Sequence, residues 1–427
     1  MRILIFSFAI LFFSVANVVS NQEQDSTLQI IHVNHPSYPL RPKTTLSWED
    51  SVLQMQSNDE SRVRYLSMLA SARQTVPIAS GSQITKNPTY IIKVNVGTPA
   101  QPLLMALDTN NDAALVPCHM CLGCSSTTFN STKSSTFNNV TCGSPQCSQV
   151  SNSNCGGKTS CHFNLPYGNS NVSANLAQDT LTLANNHIPN FTFGCVNSTT
   201  GTSLPAQGLM GLGRGPLSFI SQTLTLYNST FSYCLPNYKS SGFTGSLKLG
   251  PKFQPIQIKS TPLLKNSRRP SLYYVDLKAI SVGANVVKIP PSAFAFDPNT
   301  GAGTIFDTGV QFTTLVMPAY VAVRDEFRRR MGKATVSSLG GFDTCYTVPI
   351  TIPSITFMFQ GMNMTLAQDN FLIHSTSGST TCLAMAAEMD GSVNSVLNVI
   401  GSFQQQNHRI LIDQPKSRLG VAWERCS

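Results

Sequence analysis

The strongest constraint on this chain is that part of it occurs twice. An apolar run, Leu103-Leu104-Met105-Ala106-Leu107, leads into Asp108-Thr109-Asn110. Much later, Gly303-Thr304-Ile305-Phe306 leads into Asp307-Thr308-Gly309. Downstream of each stand two apolar residues and a glycine: Leu209-Met210-Gly211 after the first, Val399-Ile400-Gly401 after the second. Self-similarity of this kind marks a repeated architecture. Its simplest form is two similar half-domains, each offering one aspartate from a strand end. The length of 427 residues agrees, because it exceeds what one hydrophobic core organises and favours two lobes.

From Tyr90 onward the sequence consists of short β-rich runs separated by Gly, Pro, Asn and Ser. Tyr90 to Val96, Phe191 to Phe193 and Ile355 to Phe359 are examples. One clear helix is expected from about Pro318 to Met331, with Tyr320, Val323 and Phe327 on one face. Residues 21 to 78 differ: they are polar, with Pro36, Pro39 and Pro42, and then a helical pattern from Trp48 to Arg73. Leu53, Met55, Val63, Leu66 and Leu69 recur there at helical spacing. The expected organisation is a signal peptide at 1–20, a propeptide at 21–78 cut near residues 73 to 80, an N-terminal lobe at 79–250 and a C-terminal lobe at 251–427.

The first residues read as an export signal: Met1-Arg2, an apolar stretch from Ile3 to Val19, then polar Asn21-Gln22. No further span follows, so stable membrane insertion is not expected. In an oxidising compartment the 12 cysteines read as up to six disulfides. Seven lie between Cys118 and Cys161, so at least one pairs outside that cluster. Seven sequons, at Asn130, Asn139, Asn171, Asn190, Asn197, Asn228 and Asn363, fit export and glycosylation. The net charge of +9 comes without any run of five basic residues, and Arg328-Arg329-Arg330 falls in the expected helix. A solvated helix face accounts for the triplet, and no nucleic-acid partner is expected. His119, His162, His187, His374 and His408 show no metal-ligand spacing, so neither metal nor cofactor is expected.

A single Asp-Ser-Gly or Asp-Thr-Gly is weak evidence, with roughly 0.2 chance matches in a chain this size; the repeated arrangement, with an apolar strand before the Asp-Thr and apolar-apolar-Gly after, is far more specific. On these residues the chain resembles the pepsin-like aspartic peptidases over about residues 85 to 427. Gly97-Thr98-Pro99-Ala100-Gln101, Leu411-Ile412-Asp413 and Gly420-Val421-Ala422 share in the likeness. The cysteine cluster and Phe231-Ser232-Tyr233-Cys234-Leu235 resemble the plant nepenthesin-type branch with its apoplastic members. The resemblance implies a mostly β, bilobal double β-barrel with a central substrate cleft and a flap hairpin, and a Cys-rich insertion in the first lobe. It also implies a monomer, secreted to the extracellular space, apoplast or cell wall, acting on protein or peptide substrates.

Peptide hydrolysis needs a base to take a proton from water and an acid to give one to the amide carbonyl. Two carboxylates about 3 Å apart share one proton and so supply both roles, the behaviour for which aspartic peptidases are the standard illustration. The resemblance therefore implies that Asp108 and Asp307 are catalytic and activate water at acidic pH. Thr109, Thr308 and Gly309 would support the two loops, and Tyr167-Gly168 would form the flap tip over the substrate. Three residues depart from the family pattern. Asn110 replaces a glycine, Val310 a Thr or Ser that donates to the second aspartate, and Leu115 a tryptophan that steadies the flap tyrosine. Loss of the donor at 310 raises the pair's expected affinity for protons. The alternative is a weakly active or inactive relative that binds a peptide, inhibitor or cell-wall ligand. The propeptide is expected to mask the cleft until acidification, through Arg62, Arg64 or Arg73.

Overall fold

The computed structural model describes residues 27–32, 47–70, 90–125, 127–150, 152–155, 159–183, 186–237, 245–252, 254–255, 257–387 and 396–426. The expected export signal, Arg73 and the expected cleavage region at 73–80 lie outside them. The fold is mostly β and two-lobed.

Beneath the cleft runs a six-stranded antiparallel layer built from both halves of the chain. Its order is Thr27–His32, Gly245–Leu249, Thr230–Cys234, His408–Asp413, Arg418–Trp423 and Lys259–Leu264. Thr230–Cys234 and His408–Asp413 are wholly buried although they carry polar residues, and buried Arg409 is satisfied by Glu424 and Ser246. Cys234–Cys426 fastens the C-terminal end to this layer. Above it, in the first half, Tyr90–Val96 pairs antiparallel with Gln101–Asp108, and a long hairpin joins Ser170–Leu183 to Asn186–Thr200. In the second half, Gly303–Phe306 lies between Tyr274–Val275 and Leu397–Ile400. Two further four-stranded sheets flank it.

All 12 cysteines are paired. Six disulfides join Cys118–Cys195, Cys121–Cys124, Cys142–Cys155, Cys147–Cys161, Cys234–Cys426 and Cys345–Cys382. Within the crowded run Cys118 is the one that reaches outside, which buries it against the strand carrying Cys195.

The leading segment is part of this architecture. Thr27–His32 forms the edge of the central layer and also meets Tyr90 and Ile91. The helix Trp48–Ala70 begins at Ser47, whose hydroxyl accepts from Asp50 N at 3.0 Å and donates to its carboxylate at 2.8 Å. That exchange satisfies a backbone donor that the first turn leaves open. Its face toward the lobes carries Val52, Asp59, Arg62 and Val63; of the expected apolar stripe Val63 is buried and Met55 packs against the second half's core, whereas Leu53 is half exposed. Val63 packs with Leu272, Ile305 and Val310, while Val52 packs with Phe312, Phe342 and Phe403. Apolar spacing leaves out two of the seated residues, Asp59 and Arg62, because they are charged. The other helix, Met317–Arg330, matches its expected span and buries Tyr320, Val323 and Phe327.

Candidate active site

Each aspartate stands at a strand end because a second strand runs parallel beside it. Leu209–Gly211 lies along Ala106–Asp108, and Leu397–Ile400 lies along Gly303–Phe306. The loop following each aspartate then folds back across the glycine of the repeat. A Cβ on Gly211 would lie 2.4 Å from the Ala113 carbonyl oxygen and 2.5 Å from that of Asn111. On Gly401 it would lie 2.6 Å from the Phe312 carbonyl carbon and 2.7 Å from the Gln311 oxygen. Both distances fall inside atomic contact, so only glycine admits the crossing. The repeated apolar-apolar-Gly is thus the imprint of one strand-and-loop crossing used twice.

The two loops meet face to face. Thr109 N donates to the Thr308 hydroxyl at 3.2 Å, and Thr308 N donates to the Thr109 hydroxyl at 3.2 Å. The Thr308 hydroxyl also donates to the Leu107 carbonyl at 2.8 Å. Below, Gln405 Nε2 donates to the carbonyls of Asp307 and Ile400 at 3.0 and 2.7 Å. Asp112, beyond the first loop, accepts from the Ser271 hydroxyl and from Gly215 N, tying that loop to the second half of the chain. Asp108 and Asp307 are both buried.

Asn110 touches both carboxylates. Its backbone N donates to Asp108 Oδ1 at 3.1 Å, and its side-chain Nδ2 donates to Asp307 Oδ1 at 2.9 Å. Tyr167 sits at the end of His162–Tyr167, the first strand of a hairpin whose second is Ser170–Leu183. Gly168 takes φ +57 in the turn, where an added Cβ would press on Ser203. The Tyr167 hydroxyl donates to Asp108 Oδ2 at 2.9 Å. Leu115 lies in the apolar cluster that also packs Tyr167, Phe163 and Val172.

Between the aspartates lies Arg62 of the leading helix. Its Nη2 donates to Asp108 Oδ1 at 2.6 Å and to Asp307 Oδ1 at 3.2 Å, and its Nε donates to Asp307 Oδ2 at 3.1 Å. The guanidinium also lies over the Tyr167 ring at 5.3 Å from its centroid. Gly309 permits this approach, since a Cβ there would stand 2.9 Å from Arg62 Nε. One turn earlier on the helix, Asp59 accepts from the backbone N–H groups of Gln311 and Phe312. Of the three arginines that the sequence singles out, the structure brings Arg62 to the pair; the Arg64 side chain and Arg73 are outside what is described.

Electrostatics follow from burial. Burial pushes the Asp108 carboxyl up, the Arg62 charge pulls it down, and the Asp307 charge pushes it up again. Burial alone would draw Arg62 down, but two carboxylates beside it outweigh that and hold it protonated. Tyr167 is pushed well up by burial and then by the charge of Asp108, so its hydroxyl stays a donor. Burial raises Asp59 well above the ordinary carboxylate range, against the two backbone donors that lower it.

The sequence marks Asn110 as a departure from the family glycine and gives it no partner, and it leaves out Asp59 and Asp112. Asp59 had a readable signal, as a carboxylate three residues before Arg62 on the same helical face. Asp112 had none, since its partner Ser271 is remote in sequence.

Known proteins show the same arrangement of halves. A family described as xylanase inhibitor N-terminal matches residues 90–251, and one described as xylanase inhibitor C-terminal matches residues 272–422. Aspartyl protease AED3 of Arabidopsis thaliana is 48% identical over 94% of this chain and 92% of its own length. Aspartyl protease 25 of Oryza sativa subsp. japonica is 41% identical, with 94% of each covered. Aspartic proteinase nepenthesin-1 of Nepenthes gracilis is 34% identical over 79% of this chain and 78% of its own. Among solved structures, edgp overlays with a TM-score of 0.66 at 21% identity, covering 78% of this chain and 91% of that one, a likeness of fold. Two aspartates on facing loops, a crossing glycine behind each and relatives that match nearly end to end place this chain in the pepsin-like aspartyl protease family.

Proposed function

We propose that this chain is the precursor of a secreted aspartic endopeptidase, with Asp108 and Asp307 as its catalytic pair and Tyr167-Gly168 as the flap tip. One observation carries the reading: a single atom, Arg62 Nη2, hydrogen-bonds both carboxylates. A position that one nitrogen occupies in the precursor suits one water oxygen once the helix has left. The pair, buried and in mutual contact through that position, would then hold one proton and one negative charge between them.

The ionised carboxylate takes a proton from the water as its oxygen attacks the scissile carbonyl carbon. The protonated partner gives its proton to the carbonyl oxygen, producing a neutral diol. Collapse of the diol breaks the C–N bond: the carboxyl that took the water proton gives it to the leaving amine, and a diol hydroxyl returns its proton to the other carboxylate as the product acid forms. Thr109, Thr308 and Gly309 keep the loops in register, and Tyr167 covers the substrate. No covalent intermediate with the protein forms, and the pair ends the cycle with the one proton it began with.

In the same reading residues 21–78 are a propeptide, 79–250 and 251–427 are the two lobes, and the helix Trp48–Ala70 is the device that keeps the precursor silent. Arg62 neutralises the pair while Asp59 takes up two backbone donors of the cleft wall. The apolar stretch Ile3 to Val19 supports export, and the exposed sequon residues Asn139, Asn171, Asn190, Asn197, Asn228 and Asn363 support glycosylation. Among the described residues no helix is long and apolar enough to cross a membrane.

A binding role without turnover is the second reading. It is favoured by the match to families described as xylanase inhibitor domains and by Val310, which offers Asp307 no hydroxyl. Incubating the processed protein with a denatured polypeptide at about pH 4 separates the two. The peptidase reading expects cleavage that falls by at least about a thousandfold in Asp307→Asn. Absence of cleavage, or cleavage unaffected by that change, sinks it.

A further inference from the structure

We propose that Asn110 is a positioning residue for the pair, supplying Asp307 from the opposite lobe with the hydrogen-bond donor that Val310 lacks. This rests on the peptidase reading for its functional meaning, though not for its geometry. Val310 is fully buried among Val63, Leu272, Tyr274 and Ile305, so its side chain serves packing and donates nothing. The Asp307 carboxylate accepts from Arg62 and from Asn110. When Arg62 departs with its helix, the Asn110 amide is the side-chain donor that stays, among the described residues.

The amide can point only one way. One Nδ2 hydrogen goes to the Phe306 carbonyl at 2.7 Å and the other to Asp307 Oδ1 at 2.9 Å, while Oδ1 accepts from Tyr273 N at 3.2 Å. Turning the amide over would set its oxygen against two oxygens and its nitrogen against an N–H. All three bonds would be lost in a buried place, where each orphaned group is costly. Serine is too short to reach both Phe306 and Asp307, and aspartate, isosteric with Asn, has no hydrogen to donate when ionised. The residue that replaces a glycine is thus a donor fixed by three partners and aimed at the second carboxylate.

A donor to the ionised form favours ionisation, so Asn110 lowers the pair's affinity for protons and extends the base form to lower pH. The groups that share this space are Asp108, Arg62 and Asp59 of the helix, Tyr167 of the flap and Tyr233 of the central layer. Asp112 lies behind Asp108. Tyr167 serves Asp108, not Asp307.

The test uses the full chain after acid activation, as wild type, Asn110→Ser, Asn110→Asp and Asn110→Ser with Val310→Thr. Two readouts are taken on each: hydrolysis of denatured casein against pH, and the carboxyl titration of ¹³C-labelled aspartate, assigned with Asp307→Asn. Asn110→Ser is expected to move the acid limb of the profile and the titration up by about one pH unit, a tenfold change in proton affinity. Val310→Thr returns them toward wild type, which a merely structural role for Asn110 would not produce. Asn110→Asp, matched in shape, moves the titration further up, and it decides the matter where the serine variant does not fold. Titrations that stay put in both variants overturn the proposal even if wild type cleaves casein. A shifted titration in a protein that cleaves nothing upholds Asn110 and removes the peptidase reading instead.

Discussion

Replacing Arg62 with alanine in the full precursor tests how the leading helix is held. Arg62 joins two carboxylates by three charge-assisted hydrogen bonds, and all three side chains are nearly inaccessible, at 6%, 1% and 0% exposure. Removing one partner of a buried ion pair costs about 3–5 kcal/mol, because the remaining charge is left without compensation. Here the pair can keep a shared proton, which halves the charge stranded and favours the lower end, about 3 kcal/mol. That corresponds to roughly a hundredfold increase in the open population of the helix. Hydrogen exchange at pH 7, read on peptides covering residues 48–70, reports that population directly. Arg62→Ala should lose about a hundredfold of protection there while Tyr90–Val96 and Gln101–Asp108 keep theirs. Arg62→Lys should fall between, since a point charge cannot fork across two carboxylates. Leu53→Ala, on the exposed side of the same helix, should stay within about threefold. A loss of less than about fivefold in Arg62→Ala, with the body of the protein intact, would refute the view that this ion pair holds the leading helix in the cleft.

Asp59 opposes the pH response of Arg62. Pairing by Arg62 needs ionised aspartates and fades as pH falls. Asp59, held above the ordinary range by burial, contributes most to closure while protonated and loses that contribution as pH rises through its raised value. Asp59→Asn removes the opposing response, so opening of the helix, followed by exchange against pH, becomes steeper; an unchanged slope contradicts the assignment. Gly401→Ala would press a methyl group on the backbone of residues 311–313 at 2.6–2.8 Å, which no rotamer relieves. It should cost about 2–4 kcal/mol, measured as a lower denaturant midpoint at constant slope, and a neutral result would show that the crossing has slack.

Much of the site was legible because it is written twice. Strand, aspartate and crossing glycine each depend on local backbone geometry, so Asp108, Asp307, Gly211 and Gly401 stand out in the bare sequence. The helix Met317–Arg330 was legible from its own local residue pattern, as was Tyr167 at a hairpin turn. The central layer could not, because Thr230–Cys234 finds His408–Asp413 only through the closed fold. The seat of the leading helix was hidden for another reason. Apolar periodicity selects an apolar stripe, whereas this helix buries Asp59 and Arg62 against partners supplied by the cleft. The part Asn110 plays could not be read, since it depends on Tyr273 and Phe306, which reach it from the other half.

The proposed activation would do more to this molecule than uncover two acids. Thr27–His32 closes one margin of the layer under the cleft, lending backbone groups to Gly245–Leu249 from Ile30 back to Thr27. If residues 21–78 are removed as proposed, that row of amides and carbonyls would face water, and bare strand margins recruit other extended chains. The proposed maturation would thus open a vacancy opposite Gly245–Leu249 that a stretch of polypeptide could refill, whether the freed N-terminus, the severed leader itself or a second molecule. How quickly it is refilled would set how long the matured protein stays dispersed.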